Sequence, residues 1–273
     1  GMAWLVLIAG VMSMALATLF TFIVRGLSRR WGHLDSPGVP GQVKAPTRRV
    51  PNTGGVAIFW ALALPLGAIL LAGALGTERM SAWLDPVFPG ASVHLEGVRT
   101  QTPAALTFLA LLLVLHVMGL VDDRRPLGPW VKMLVMLACA AALVLGTGSR
   151  LLTALDASAG GPWLSIVVTV LWIVVVTNAL NFMDNMDGLS AGVSAIAGTC
   201  FLAAALVNTD PQWFVGGMLA LLVGACAGFL VFNYPRSPAR DGTPRGATIF
   251  MGDGGSLVLG FTLAFLTVRT TYY

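Results

Sequence analysis

Long, unbroken apolar stretches alternate with short polar segments along the whole chain. A helix that crosses the hydrocarbon core of a bilayer needs about 20 mostly apolar residues, and several stretches meet that requirement. They cover residues 4–24, 54–75, 103–121, 130–147, 163–181, 189–207, 213–232 and 255–271. Their uniform apolarity favours helices over the alternating strands of a membrane β-barrel. The pattern predicts an all-α, polytopic transmembrane bundle of about eight spanning helices, in a single integral-membrane domain over residues 1–273.

The first apolar stretch has two interpretations. Small residues at 14–17 resemble the cleavage region of a signal peptide. However, no basic segment precedes the stretch, and Arg25, Arg29 and Arg30 follow it. This order is typical of an uncleaved helix whose N-terminus lies outside the cytoplasm.

Composition and charge agree with a membrane protein and indicate its orientation. Hydrophobic residues make up 56% of the chain and charged residues only 10%. Twelve of the 16 Lys and Arg residues lie within residues 25–53, 122–132 and 233–253. Because short basic loops are retained in the cytoplasm, we expect a multi-pass protein of the cell inner membrane with these connections inside. The net charge of +4 suits a lipid bilayer with anionic head groups and anionic substrates, and no motif indicates a nucleic-acid partner.

Acidic residues gather on the same predicted face. Carboxylates are costly near a bilayer and are usually functional there. Seven of the 12 acidic residues lie where apolar stretches end: Asp35, Asp122, Asp123, Asp184, Asp187, Asp241 and Asp253. The pattern indicates a functional site at the cytoplasmic ends of the helices.

Asp122 and Asp123 are adjacent at the end of the third apolar stretch. On a helix, neighbouring side chains diverge by about 100°, so the two carboxylates seldom serve one small ligand. One can bind while the other orients it or pairs with Arg124, Arg125 or Lys132. An ordinary solvated turn is the alternative, because Asp is common in turns.

The Pro- and Gly-rich connection before the second stretch carries further basic residues. Lys44, Arg48 and Arg49 are suited to gathering phosphate charge, while Gly54 and Gly55 allow close backbone approach. A flexible basic loop with a tight turn explains the same residues without a ligand.

Asn178, Asn181, Asp184 and Asp187 recur at every third position. In a helical or 3₁₀ backbone they would align along one side, where their oxygen atoms form a surface for a hard cation or a polar ligand. The structural alternative is that Asp187 caps the next helix and the asparagines bond to neighbouring helices.

Asp253 lies in a glycine turn directly before the last stretch. A helix N-terminus there offers free N–H groups to a phosphate or a metal phosphate, although Asp253 could equally act as an N-cap. Carboxylates and basic groups on one face are the arrangement that phosphoryl transfer requires. Mg²⁺ fits such a site best, because it takes one or two carboxylates and borrows other ligands from water and substrate phosphate.

Four motifs together resemble a known family. They are PNTGG at 51–55, DD at 122–123, NALNFMDNMDGLSAG at 178–192 and IFMGDGGSLVLG at 249–260. In order and in predicted membrane side they resemble the polyprenyl-phosphate N-acetylhexosamine-1-phosphate transferases of glycosyltransferase family 4. The resemblance implies transfer of a sugar 1-phosphate from a UDP-N-acetylhexosamine to undecaprenyl phosphate, with release of UMP, at the start of cell-envelope glycan synthesis.

The resemblance also implies roles for individual residues. Mg²⁺, or Mn²⁺ in its place, would be held by Asp253 and Asn181, with Asp122 and Asp123 close by. The same resemblance places Asp122, Asp123, Asp184 and Asp187 in the catalytic set, with Asp184 and Asp187 contacting the nucleotide, Phe250 near the uracil and Asn233 in the nucleotide pocket. The substrate-binding set also includes Lys44, Arg48 and Asn178, which the patterns described above supply. One proposal for the family makes an Asp of the DD pair a general base. A phosphate monoester has a second pKa of about 6, so the lipid phosphate is already largely a dianion at neutral pH.

Within the family, PNTGG and the NxxNxxD spacing look closer to the N-acetylglucosamine-phosphate transferases of O-antigen (lipopolysaccharide) and teichoic-acid synthesis. The phospho-N-acetylmuramoyl-pentapeptide transferases of peptidoglycan synthesis are the alternative, and a homodimer is compatible with either. Relatives continue through further helices, so we expect a domain that is incomplete at its C-terminus. From another class, a cation-coupled transporter would also bind a cation through acidic residues, but usually near the bilayer midplane.

Overall fold

The computed structural model describes residues 2–32, 50–88, 90–207, 210–235 and 246–271. Within these ranges the chain forms helices connected by short turns. The α-helices are α1 (Met2–Arg30), α2 (Gly54–Leu75), α3 (Thr77–Leu84), α4 (Leu95–Asp122), α5 (Pro129–Thr147), α6 (Trp163–Met183), α7 (Leu189–Val207), α8 (Trp213–Asn233) and α9 (Asp253–Thr271). Two 3₁₀ turns, Ala91–His94 and Thr153–Leu155, precede α4 and α6.

Every helix except α3 is long and apolar enough to cross a membrane, which makes 8 candidate spans among the described residues. The prediction of an all-α bundle with about eight spans is therefore confirmed. The position of the N-terminus outside the cytoplasm stays a prediction.

Two helices extend well beyond their predicted spans, in both cases through polar residues. α1 continues to Arg30 and α4 already begins at Leu95, because polar residues extend a helix beyond the apolar length that marks a span. α3, with only 8 residues, is too short to produce that signal. The other spans agree closely with the prediction: α2 and α7 have the predicted bounds, and the bounds of α5, α6, α8 and α9 lie within two residues of the predicted ones.

α9 lies at the centre of the bundle. It packs against α2, α4, α6, α7 and α8, and every residue from Gly254 to Arg269 is buried. A helix enclosed on all sides has little freedom to shift along or around its axis. The surrounding helices therefore fix the position of Asp253, the first residue of α9.

Small residues bring α1 and α8 into close contact. A Cβ atom at Gly224 of α8 would overlap the carbonyl of Gly10 in α1. The hydroxyl of Ser13 lies 2.7 Å from the Leu221 carbonyl and 3.1 Å from the Ala61 carbonyl. Close backbone packing and such polar contacts hold helices together in lipid, where no hydrophobic effect drives their association.

Hydrogen bonds gather alternate helix ends at one end of the bundle. Ser28, near the end of α1, shares a 2.7 Å hydrogen bond with Thr53, just before α2. Asn233, at the end of α8, donates a 3.0 Å hydrogen bond to the Ile249 carbonyl, just before α9. The acidic motifs lie at this same end, as the alternation of crossings predicts.

Candidate active site

Asp123, the residue after α4, caps the N-terminus of α9. Its Oδ1 accepts the backbone N–H of Asp253 at 3.0 Å, and its Oδ2 accepts that of Gly254 at 3.3 Å. The first N–H groups of a helix have no partner inside the helix, and a carboxylate also complements the positive end of the helix dipole. Asn52 Nδ2 donates a further 3.2 Å hydrogen bond to Oδ1. One side chain thus joins the PNTGG, DD and GDGGS motifs.

Glycines permit the close approach that this cap requires. A Cβ atom at Gly119 of α4 would overlap the Gly254 nitrogen, and one at Gly55 of α2 would overlap the Gly255 nitrogen. Gly252 has a left-handed φ of 72°, and a Cβ atom there would lie 2.5 Å from the capping carboxylate. Only glycine meets both conditions at that position.

The main chain of the PNTGG motif holds the segment that leads into α9. Phe250 donates its N–H to the Pro51 carbonyl at 2.8 Å and accepts the Gly54 N–H at 2.9 Å. Gly55 donates to the Met251 carbonyl at 2.8 Å. The half-buried ring of Phe250 is therefore attached to a backbone whose N–H and carbonyl both bind the PNTGG motif.

Asp122 binds the start of α5 and also lies beside Asp253, the first residue of α9. Its Oδ1 accepts the Leu127 N–H at 2.7 Å, and its Oδ2 lies 3.0 Å from Lys132 Nζ. The same ammonium lies 2.5 Å from Asp253 Oδ2. The predicted pairing of one carboxylate of the DD motif with a neighbouring basic residue is confirmed, and that residue is Lys132.

The Asn and Asp residues at every third position follow the chain that leads into α9. Asn181 hydrogen-bonds to Ser256, inside α9, and Asp187 accepts the Ala247 N–H, while Asp184 lies close to Gly252 between them. α6 ends at Met183, so the predicted alignment along one helix face is wrong beyond that residue. A turn replaces the helix there, and Gly188, its last residue before α7, takes a left-handed φ of 77° that glycine readily adopts. Asn178 is half-buried on α6.

Asn233 is buried, and both ends of its amide bind backbone. Its Oδ1 accepts the Gly188 N–H at 2.9 Å, and its Nδ2 donates to the Ile249 carbonyl at 3.0 Å. It therefore joins the turn after Asp187 to the segment before α9. Lys44 and Arg48 lie outside the described residues.

Residues 105–271, which include three of the four motifs, match the family model described as Glycosyl transferase family 4. This chain belongs to glycosyl transferase family 4. The family that the motifs resemble is thereby confirmed.

Three proteins of similar sequence have names that describe an activity. The chain is 28% identical over 272 residues to a probable undecaprenyl-phosphate N-acetylglucosaminyl 1-phosphate transferase of Bacillus subtilis, covering 98% of this chain. It is 35% identical over 250 residues, or 82% of this chain, to a phospho-N-acetylmuramoyl-pentapeptide-transferase of Desulforudis audaxviator. It is 31% identical over 262 residues, or 92% of this chain, to a decaprenyl-phosphate N-acetylglucosaminephosphotransferase of Mycobacterium tuberculosis. The chain spans 63%, 65% and 57% of the lengths of these relatives, respectively.

In this glycosyl transferase family 4 chain, the acidic cluster carries more negative charge than its neighbours neutralise. Burial and, to a smaller extent, the nearby Asp253 carboxylate raise the pKa of Asp123 to about 7, although the hydrogen bond from the Asp253 N–H opposes this shift. Burial, followed by the charges of Asp253 and Asp123, raises the pKa of Asp184 well above its usual range. Within the described part of the chain, Lys132 is the cation that ion-pairs with the cluster. Excess charge of this kind is relieved by a proton or by a bound cation.

The donor set fits Mg²⁺. It consists of carboxylate and amide oxygens, which are the hard ligands that this ion prefers. Over the described ranges, no three His, Cys, Asp or Glu side chains are already gathered as a closed metal cage. Mg²⁺ does not need one, because it usually takes one or two carboxylates and completes its shell with water and substrate phosphate.

Three residues of the site have no role in the sequence-based interpretation. Asn52 binds the Asp123 carboxylate, Ser256 binds Asn181, and His116 binds the Gly254 carbonyl. Ser256 and Asn52 belong to recognised motifs, so their polar side chains were a usable signal. His116 lies within an apolar stretch. Its spacing from Asp123 becomes informative only when α4 is known to pack against α9.

Proposed function

We propose that this chain transfers N-acetylhexosamine 1-phosphate from a UDP-sugar to undecaprenyl phosphate. An oxygen of the lipid phosphate attacks the β-phosphorus of the UDP-sugar. The bond from that phosphorus to the bridging oxygen breaks, and UMP leaves with the oxygen. The product is a lipid-linked diphosphosugar, which would begin the synthesis of a cell-envelope glycan. Transfer of sugar phosphates to prenyl phosphates, as the names of two relatives describe, supports this reaction.

The observation that carries the proposal is the convergence at the start of α9. Asp253 stands there with its N–H bound by Asp123 and its carboxylate beside Lys132. Phosphoryl transfer depends mainly on positioning and on neutralising phosphate charge. A helix N-terminus, several carboxylates and an ammonium group at one membrane end supply both.

Asp253 and Asn181 would hold Mg²⁺, with a carboxylate of the DD pair near it, and Mn²⁺ has compatible ligand preferences. When bound, the ion supplies positive charge that stabilises the oxygens of the reacting phosphates. Lys132 would supply a second positive charge to the same phosphates. Its position between Asp122 and Asp253 keeps it close to them.

Asp123 caps the N-terminus of α9, and this structural role competes with proton transfer. Both of its carboxylate oxygens accept hydrogen bonds from the start of α9. A lipid phosphate with a second pKa of about 6 is already largely a dianion at neutral pH. We therefore assign Asp123 to holding α9 and not to a general base.

The remaining predicted residues would bind the donor substrate. Asp184 and Asp187 lie along the segment that leads into α9, where they would contact the nucleotide. The Phe250 ring would stack near the uracil. Asn178 on α6, together with Asn233 as a support for that segment, completes the described part of the pocket, and Lys44 and Arg48 would add phosphate contacts.

The donor sugar defines two candidate functions. UDP-N-acetylglucosamine is the first candidate, because the Bacillus and Mycobacterium relatives are named for N-acetylglucosamine phosphate transfer. UDP-N-acetylmuramoyl-pentapeptide is the second, because the Desulforudis relative of that name has an identity of 35%. The position of Asp122 at the end of α4 and of Asp253 at the start of α9 disfavours a cation-coupled transporter, whose site usually lies near the midplane.

The test measures UMP release by the purified chain in lipid nanodiscs that contain undecaprenyl phosphate and Mg²⁺. We expect UMP from UDP-N-acetylglucosamine and none when the lipid phosphate or the divalent ion is omitted. UMP from the muramoyl-pentapeptide donor alone would select the second function. Ion flux that is driven by a solute, with no UMP from either donor, would replace the transferase with a transporter.

The same proposal places the site on the cytoplasmic face of the inner membrane. Basic connections at that end of the bundle support this orientation. A homodimer belongs to the proposal as well, and size-exclusion chromatography with light scattering on the same nanodisc sample measures it.

A further inference from the structure

His116 places an imidazole inside the membrane bundle. The side chain is 4% exposed and stacks on Phe59 of α2, with ring centroids 4.4 Å apart and an angle of 5° between the rings. A buried polar group is costly unless it is hydrogen-bonded. Its Nδ1 lies 2.7 Å from the carbonyl oxygen of Gly254. A carbonyl can only accept, so Nδ1 carries the proton and donates it to this bond.

His116 and Asp123 hold the same residue from one face of α4. They are separated by about two helical turns, so their side chains project on the same side. Asp123 accepts the Gly254 N–H at 3.3 Å, and His116 donates to the Gly254 carbonyl at 2.7 Å. Gly119 lies between them and allows the backbones to meet, because a Cβ atom there would overlap the Gly254 nitrogen.

The two contacts restrain the first turn of α9 at both ends of one residue. With the Asp123 cap alone, the peptide group after Gly254 could still tilt. The hydrogen bond from His116, about two turns earlier on α4, opposes that tilt. Asp253 is covalently joined to the held residue, and its carboxylate is the group that faces Lys132. The direction of that carboxylate therefore depends on both contacts.

We propose that His116 is a positioning residue that sets the direction of the Asp253 carboxylate through the Gly254 carbonyl. This inference rests on the proposed function, because it treats Asp253 as the main oxygen ligand of the divalent ion. His116 itself touches neither the ion nor the substrate. Its contribution is the fixed place of the first turn of α9 against α4.

Three substitutions separate the hydrogen bond from the ring stack. His116→Phe keeps a ring for Phe59 and removes the donor. His116→Asn loses the ring but keeps a donor nitrogen attached to Cγ, the same position as Nδ1. His116→Gln carries its donor one bond farther out and serves as the matched control for an amide at the wrong reach.

The experiment titrates Mn²⁺ into the purified full chain and follows free Mn²⁺ by electron paramagnetic resonance. Loss of one positioning hydrogen bond is expected to weaken Mn²⁺ binding about tenfold in His116→Phe and His116→Gln, equivalent to about 1.4 kcal/mol. His116→Asn is expected to stay within about threefold of the unmodified chain. Thermal unfolding of each variant identifies any that fail to fold. If His116→Phe does not fold, the difference in Mn²⁺ affinity between His116→Asn and His116→Gln tests the proposal.

Unchanged Mn²⁺ binding in a folded His116→Phe chain would overturn the proposal. Equal weakening by Asn and Gln would also overturn it, because the ring and not the donor would then matter. Mn²⁺ binding with the expected order but no UMP release would refute the proposed function and leave the positioning role intact. UMP release without that order of affinities would refute the positioning role alone.

Discussion

Single residues in this site serve the fold and the chemistry at once. Asp123 satisfies two N–H groups of α9 and accepts a third hydrogen bond from Asn52. The same carboxylate has a pKa of about 7, because burial and the neighbouring Asp253 charge disfavour ionisation. The cap thus concentrates negative charge, which a bound divalent ion would neutralise.

The raised pKa of Asp123 predicts how stability depends on pH. An exposed Asp has a pKa of about 3.9, whereas the pKa of Asp123 in the folded chain is about 7. Between these values the folded state holds a proton that the unfolded state lacks, so the contribution of this group to stability falls as pH rises. Each unit of difference corresponds to about 1.4 kcal/mol. Without divalent ions, we expect the unfolding midpoint to fall between about pH 5 and pH 7.

Two measurements accompany that melting series. Mg²⁺ should restore the midpoint at the high-pH end, where it replaces the lost proton as the neutralising charge. Asp123→Asn, which cannot ionise, should show a smaller dependence on pH over the same interval. A midpoint that rises steadily through the interval in the unmodified chain would contradict the sign of this linkage.

Lys132 occupies the space next to Asp253 where a cation would bind, at 2.5 Å from Oδ2. Lys132→Gln removes a positive charge that lies against two carboxylates, so we expect Mn²⁺ to bind about tenfold more tightly. UMP release should nevertheless fall, because the substrate phosphates lose the ammonium group. Arg125→Gln removes an exposed charge from the same connection and should change neither property by much. Weaker Mn²⁺ binding in Lys132→Gln would show that the ammonium group does not compete with the ion.

At the scale of elements, the approach of α4 to α9 depends on one small residue. A Cβ atom at Gly119 would overlap the start of α9, whereas a Cβ atom at Gly97 of the same helix meets open space. Overpacking costs about 1–3 kcal/mol, so Gly119→Ala should lower the unfolding midpoint by several degrees and reduce UMP release. Gly97→Ala should be neutral or slightly stabilising, because alanine favours a helix by about 1 kcal/mol over glycine. Equal melting of both variants would refute the tight α4–α9 contact.

Sequence patterns predict these elements where the signal is local. The apolar cores of all the spanning helices follow from hydropathy, and the pairing of the DD motif with Lys132 follows from their closeness in sequence. α6 ends at Met183, within two residues of the predicted span 163–181, but the three-residue spacing of Asn and Asp does not show that the chain turns beyond that point. The bond from His116 to Gly254 joins α4 to α9, and such a contact depends on tertiary packing that no local pattern contains.

For the whole molecule, alternate crossings place the acidic motifs at one end of the bundle. Cysteine labelling of intact cells determines which end this is. After replacement of the native cysteines, His94→Cys should react with an impermeant maleimide from outside, and Arg124→Cys should react only after permeabilisation. The reverse pattern would invert the predicted topology and place the site outside the cytoplasm.

The central claim is that the start of α9 directs phosphate chemistry between a nucleotide sugar and a lipid. The most direct measurement follows UDP-N-acetylglucosamine radiolabelled in its β-phosphate, incubated with the purified chain, Mg²⁺ and undecaprenyl phosphate. We predict that the label moves into the lipid fraction, that the released UMP is unlabelled, and that Asp253→Asn lowers the rate at least about a hundredfold. Label that remains in the aqueous phase, or an Asp253→Asn chain with unchanged turnover, would contradict the account.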